Sequence, residues 1–139
     1  MRREPPSADV AWYVDTSAFL KLVVEEEHSG AFRTWAEAND ESLFSSDLMR
    51  VEALRSANRH SPSALAATRQ RLDAIALLAV TRAAYDMAVE LSPAILRTLD
   101  ALHLAVALGI GDELDGVVTY DDRLASAVAS HGVTAVMPT

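Results

Sequence analysis

Short apolar runs alternate with longer stretches of helical period along this chain, and that alternation leaves few folds open. Val10-Ala11-Trp12-Tyr13-Val14 is apolar at every position. A strand apolar on both faces belongs in the middle of a parallel sheet, covered above and below. Thr16 to Glu26 follows with helical spacing, its inner side made by Phe19, Leu20, Leu22, Val23 and Val24. His28 to Ala38 reads as a second helix carrying Phe32 and Trp35, and Leu43-Phe44-Ser45 as a short second strand. Ser46 or Asp47 can cap a third helix running to about Asn58. Ser61-Pro62 opens another, with proline in the first turn, where its missing N–H costs nothing. Leu77 to Thr81 reads as a third strand, although Leu77 and Leu78 can equally finish the helix before it. Arg82 to Leu91 is helical, and Ser92-Pro93 breaks it. Thr98 to Leu108 is a strongly apolar helix closed by Gly109 and Gly111. Gly116-Val117-Val118-Thr119 is a strand, Asp121 or Asp122 caps a last helix ending at His131-Gly132, and Val133 to Val136 is a final strand. Strands alternating with helices predict an α/β fold with a mainly parallel sheet.

The 139 residues suit one domain, residues 10–139, preceded by a short disordered lead over residues 1–9, MRREPPSAD. That lead has charge and prolines but no following apolar stretch of signal-peptide type. Apolar runs stay well below the length of a membrane span, so a soluble, cytoplasmic protein is expected. With no cysteine, disulfides, thiolate catalysis and cysteine-bound zinc are excluded. Acidic residues outnumber basic ones by 20 to 12. That balance argues against binding nucleic acid by simple charge attraction. It leaves two readings: a merely solvated acidic surface, or carboxylates gathered to hold cations that would make a phosphate welcome.

The placement of the acids bears on that choice. Sites in open parallel sheets form outside the carboxyl ends of the strands. Asp15 follows the first strand directly, and Asp121 follows Val117-Val118-Thr119-Tyr120, so both are expected on one sheet edge. Each also opens a helix, and each reads equally as an N-cap. Asp100 lies in Leu99-Asp100-Ala101-Leu102-His103-Leu104-Ala105-Val106-Ala107. A helix this apolar is expected to be largely buried, where an ionised carboxylate is costly unless paired or metal-bound. A partnership with Arg97 is its structural alternative. Glu52 shares a helical face with Arg55, Ser56 and Arg59. It reads as a solvated ion pair with Arg55, or as a further acid with Arg55 and Arg59 reaching RNA phosphates. Three or four carboxylates suit a hard cation such as Mg²⁺ or Mn²⁺, which polarises a phosphoryl oxygen and activates a water. The four histidines show no metal-binding spacing, and His103 reads as a satisfied core histidine with a supporting role.

These motifs resemble those of PIN-domain nucleases. The likeness is carried by Val14-Asp15-Thr16-Ser17-Ala18, by Glu52 on the helix after the second strand, by Leu99-Asp100-Ala101-Leu102-His103-Leu104-Ala105, and by Val118-Thr119-Tyr120-Asp121. More narrowly they look like the VapC toxins of bacterial toxin–antitoxin pairs, over about residues 10 to 137. The resemblance implies a three-layer α/β/α sandwich and Mg²⁺- or Mn²⁺-dependent endonucleolytic cleavage of RNA. It also implies a VapB-type antitoxin that blocks the site, and commonly a homodimer. By position, Asp15, Asp100 and Asp121 match the metal-binding aspartates, and Glu52 matches the fourth acid. Thr16 or Ser17 and Thr119 match hydroxyls that support them. Asp122 can bind a second metal or merely sit in a helical first turn.

Other phosphate-handling folds fit less well. A receiver domain needs an acidic pair after its first strand, and a haloacid-dehalogenase-type phosphatase needs Asp-x-Asp where this chain has Asp15-Thr16-Ser17. A nucleotide-binding module needs a glycine-rich loop there. The remaining alternative is a non-catalytic α/β protein-interaction module whose acids serve only as helix caps.

Overall fold

Each strand's alternation of side chains explains the layers. In a computed structural model describing residues 11–139, five strands pair in parallel in the order β3-β2-β1-β4-β5. They are β1 (Ala11–Val14), β2 (Leu43–Ser46), β3 (Ala76–Leu78), β4 (Leu114–Val118) and β5 (Thr134–Val136). The expected N-terminal lead and Val10 lie outside the described residues. The helices are α1 (Thr16–Phe19), α2 (Ser29–Ala38), α3 (Leu48–Asn58), α4 (Pro62–Asp73), α5 (Arg82–Glu90), α6 (Thr98–Gly109) and α7 (Asp122–Ser130).

Ala11, Tyr13, Phe44, Ala76 and Val117 point to one face of the sheet, against Ala84 of α5, Leu104 and Ala105 of α6, and Leu124 and Val128 of α7. Val14 and Val118 point to the other face, against Phe19, Phe32, Met49, Ala53 and Leu72 of α1 to α4. Both faces are therefore covered, which is why β1 reads as continuously apolar. The chain forms the expected three-layer sandwich, with its sheet wholly parallel. In α6 every residue from Ala101 to Ala107 is buried. Burying a single leucine such as Leu104 stabilises by about 1.5–3 kcal/mol.

Three sequence expectations need correction. The first helix does not reach Glu26: α1 ends at Phe19 and a 3₁₀ turn, Leu20–Leu22, closes it. Ser29 draws the following loop away from helix, its hydroxyl donating to Val24 O at 3.1 Å and accepting from Glu26 N at 3.0 Å. Buried Lys21 secures the same loop through Glu27 O, at 2.6 Å. The third strand occupies Ala76–Leu78 rather than 77–81. Register decides this, because Phe44 pairs with Ala76 and Ser46 with Leu78, where the partner strand ends. Asp47 stands at the N-cap of α3 without a side-chain cap bond, and the hydroxyl of Ser46, the other expected cap, is turned inward to Tyr13. Phe19 and Phe32 are fully buried core residues.

The sheet's strand order reverses at β1. From there β2 and β3 lie on one side, β4 and β5 on the other, so a topological switch point falls between the carboxyl ends of β1 and β4. Val14 pairs with Val118 there, which sets Asp15 beside Thr119. Close approach on β4 depends on Gly116. A Cβ at that position would stand 2.5 Å from the Trp12 ring and 2.6 Å from Thr134 O. Gly116→Ala is expected to destabilise the fold by about 1–3 kcal/mol, read as a lowered midpoint in chemical denaturation, and an unchanged midpoint would contradict this packing.

Candidate active site

Strand ends and helix starts deliver the acids. Asp15 ends β1 and is 4% exposed. Its Oδ1 accepts from Ala18 N at 2.9 Å and from the Ser17 hydroxyl at 2.7 Å, and its Oδ2 accepts from the Thr119 hydroxyl at 2.5 Å. Those hydroxyls have no choice of direction. Ser17 Oγ accepts from Tyr120 N at 2.9 Å, and Thr119 Oγ1 from Asp121 N at 3.0 Å, so each spends its one hydrogen on Asp15. Burial raises the Asp15 pKa, and the bonds from Thr119, Ala18 and Ser17 oppose that rise.

Asp121 is the N-cap of α7, its Oδ1 accepting from Arg123 N at 2.9 Å and Leu124 N at 3.3 Å. The cap and site readings of Asp15 and Asp121 are thus compatible, since capping leaves oxygens of both facing a common space. Glu52, midway along α3, makes no ion pair with Arg55. Its Oε1 accepts from Thr16 Oγ1 at 2.9 Å and from His103 Nε2 at 2.6 Å. Partial burial works to raise its pKa, but the bond and charge of His103, with the Thr16 bond, leave it below the ordinary value.

Asp100 departs from expectation. It is half-buried in the first turn of α6, and the deeply buried acid is Asp15. Among the described residues no ion pair joins it to Arg97. Its pKa is raised by burial, then by the negative charge of Asp121, with Asp15 and Glu52 adding to this and His103 opposing. Burial and like-charge repulsion thus push it in the same direction.

One cavity of about 400 Å³ is lined by Asp15, Thr16, Ser17, Glu52, Arg97, Thr98, Leu99, Asp100, His103 and Asp121. The structure therefore brings together all four acids and two of the three supporting hydroxyls, with Thr119 directly behind Asp15. Asp122 is exposed and lines a neighbouring cavity with Arg97, Asp100 and Arg123. Arg55 and Arg59 are exposed on α3 and its C-cap, away from the lining of either cavity. Among the described residues, no three acids or histidines already stand at the spacing that would cage an ion. Uncompensated carboxylates repel, and Asp15 and Asp121 each spend oxygens on caps. The donor set is nonetheless all oxygen, the kind that hard divalent cations take.

Sequence reasoning passed over Tyr13. It is fully buried, and its hydroxyl lies 3.0 Å from Ser46 Oγ and 2.5 Å from His103 Nδ1. A signal existed, because a tyrosine inside a wholly apolar strand must find a partner for its hydroxyl.

Comparison with known proteins shows the family. The PIN domain family profile matches residues 12–129. The chain is a PIN domain of the VapC ribonuclease family. Ribonuclease VapC47 of Mycobacterium tuberculosis is 38% identical over 130 residues, covering 91% of this chain and 96% of that protein. Ribonuclease VapC46 of the same organism is 39% identical over 128 residues, covering 92% and 98%. The crystal structure of Mycobacterium tuberculosis VapC20, described as a sarcin-ricin loop cleaving toxin, superposes with a TM-score of 0.72 over 92% of this chain and all of that one. At 20% identity that likeness establishes the shared PIN fold.

The crowding of Asp100 has a consequence for stability. A carboxyl whose pKa is raised on folding contributes stability that is present below its unfolded value, about 3.9, and lost as pH rises through the folded value. Without metal, Asp100→Asn is therefore expected to melt above wild type at pH 7, with the gap closing below about pH 3.9. Thermal melts in EDTA across that range check it, and a variant less stable at pH 7 would contradict the crowding.

Proposed function

We propose that this chain is an Mg²⁺- or Mn²⁺-dependent endoribonuclease, the toxin of a type II toxin–antitoxin pair. The observation that carries the reading is the convergence of Asp15, Glu52, Asp100 and Asp121 on one cavity at the switch point. It is supported by 38–39% identity to VapC ribonucleases over more than nine-tenths of the chain. The cap-only reading accounts for Asp15 and Asp121. It leaves Asp100 and Glu52 unexplained, since neither occupies a cap position.

In this reading Asp15, Asp100 and Asp121 hold the cation. When bound, the cation neutralises the acids, polarises a phosphoryl oxygen and lowers the pKa of a bound water. Thr119 and Ser17 fix both Asp15 oxygens, so the carboxylate needs little reorganisation when it binds. Glu52, ionised and held through Oε1, has Oε2 free to orient the attacking water and take its proton. Arg97 lines the cavity and is placed to meet a substrate phosphate, with Arg55 and Arg59 as more distant RNA contacts. The net charge of −8 makes such contacts few, so affinity for RNA depends on the cation.

A VapB-type antitoxin follows from the toxin reading, as does action in the cytoplasm. No helix among the described residues is long and apolar enough to cross a membrane. A homodimer is part of the same reading, and exposed Val51, Val89, Ile95 and Leu99 are apolar side chains available to such an interface.

Purified protein is expected to cleave structured RNA with Mg²⁺ or Mn²⁺ and to stop in EDTA. Asp15→Asn is expected to lower kcat on the order of a thousandfold, the loss of several kcal/mol of metal-derived stabilisation. RNA cleavage that persists in EDTA, or unchanged cleavage by folded Asp15→Asn, would contradict the assignment.

A further inference from the structure

We propose that Tyr13 and His103 form a buried positioning relay that aims the Glu52 carboxylate into the active-site cavity. The proposal rests on the ribonuclease reading above and concerns residues that act through Glu52. Ser46, Tyr13 and His103 are all at most 2% exposed. Tyr13 Oη lies 3.0 Å from Ser46 Oγ and 2.5 Å from His103 Nδ1, and His103 Nε2 lies 2.6 Å from Glu52 Oε1.

Tyr13 Oη donates to Ser46 Oγ, so at the contact with His103 the phenol oxygen accepts and Nδ1–H donates. Glu52, as a carboxylate, can only accept, so Nε2–H donates to it. The relay therefore fixes which nitrogen faces the acid, as the partner of a histidine's other ring nitrogen generally does.

The direction of the bond matters for the site. Thr16 and His103 both donate to Oε1. Glu52 is thereby held through one oxygen by two donors, which leaves Oε2 available to the cavity that Glu52 lines. The bond also spans the sheet's carboxyl edge. Glu52 belongs to a helix packed on one face, and His103 to a helix packed on the other. A glutamate with three rotatable side-chain bonds would otherwise sample several orientations. A purely structural histidine would satisfy its two nitrogens equally well on backbone carbonyls. Here one nitrogen is spent on a functional acid, and the other on a tyrosine two residues before Asp15.

The test compares wild type with His103→Leu, His103→Gln and Tyr13→Phe. It measures RNA cleavage kinetics, Mn²⁺ binding by calorimetry and melting in EDTA. Loss of a partner that orients a site residue typically costs 10–100-fold, so His103→Leu is expected to lower kcat by about that factor. Its KM for RNA should stay near wild type, and Mn²⁺ affinity should fall severalfold. Gln can present an amide N–H to Glu52, and His103→Gln is expected to recover much of the loss. Tyr13→Phe keeps the Nε2 donor but frees the ring, and should fall between the two. A folded His103→Leu with wild-type kcat and Mn²⁺ affinity would overturn the relay, as would His103→Gln and His103→Leu being equally impaired. A readout that needs no variant is ¹⁵N NMR of the His103 ring in the metal-free protein, where Nε2 is expected to be protonated. An unprotonated Nε2 would overturn the proposal even if the variants fail to fold. Wild type that neither cleaves RNA nor binds Mn²⁺ would instead sink the ribonuclease reading, and the relay's purpose with it.

Discussion

A carboxylate buried between two strand ends organises the molecule. Asp15 is nearly sealed from solvent, and its cost is met by donors from both sides of the switch point: Ala18 N and Ser17 from the start of α1, and Thr119 from the end of β4. Those donors are themselves committed by Tyr120 N and Asp121 N. The same small network that makes Asp15 tolerable therefore sets the backbone leading into α7, where Asp121 sits. Removing either hydroxyl would take a donor from Asp15 and the acceptor from Tyr120 N or Asp121 N, a loss of about 1–3 kcal/mol, and would also loosen the second acid.

The remaining acids stand around that fixed point under mutual repulsion. Burial, and then the negative charge of Asp121, hold Asp100 protonated to higher pH, whereas Glu52 is held ionised by His103 and Thr16. Divergent acidities of carboxylates in one cavity are the pattern expected of a functional site. The fold tolerates the repulsion because α6 is apolar through the rest of its length and packs fully. Polar demands are concentrated in its first turn and at His103.

Much of this was legible in the sequence, for identifiable reasons. The all-apolar β1 announced a covered parallel sheet, and Val14-Asp15 and Thr119-Tyr120-Asp121 announced two acids on its carboxyl edge. What stayed illegible was decided by side chains competing with backbone periodicity. Val23 and Val24 continue a helical apolar pattern, yet Ser29 and Lys21 bind the loop's carbonyls and end the helix early. Asp100 was expected to be the deep acid because its helix is apolar. Its position at the helix start places it in the cavity instead, and Asp15, readable as an ordinary cap, proves the more buried. Tyr13 looked like core alone, because its partners Ser46 and His103 lie 33 and 90 residues away. Long-range pairing of that kind leaves no local periodicity to read. The three-layer architecture is shared with VapC20, whose sequence agrees at only 20%, so the layering depends on apolar pattern more than on particular residues.

The central claim is that the acids at the switch point hold a divalent cation. Crystals grown or soaked with Mn²⁺ and measured for anomalous scattering would test it most directly. The account predicts a peak in the cavity within about 2.1 Å of carboxylate oxygens of Asp15, Asp100 and Asp121, the distance usual for small hard cations. An empty cavity at millimolar Mn²⁺, or a peak bound elsewhere while the four acids keep their metal-free arrangement, would contradict it.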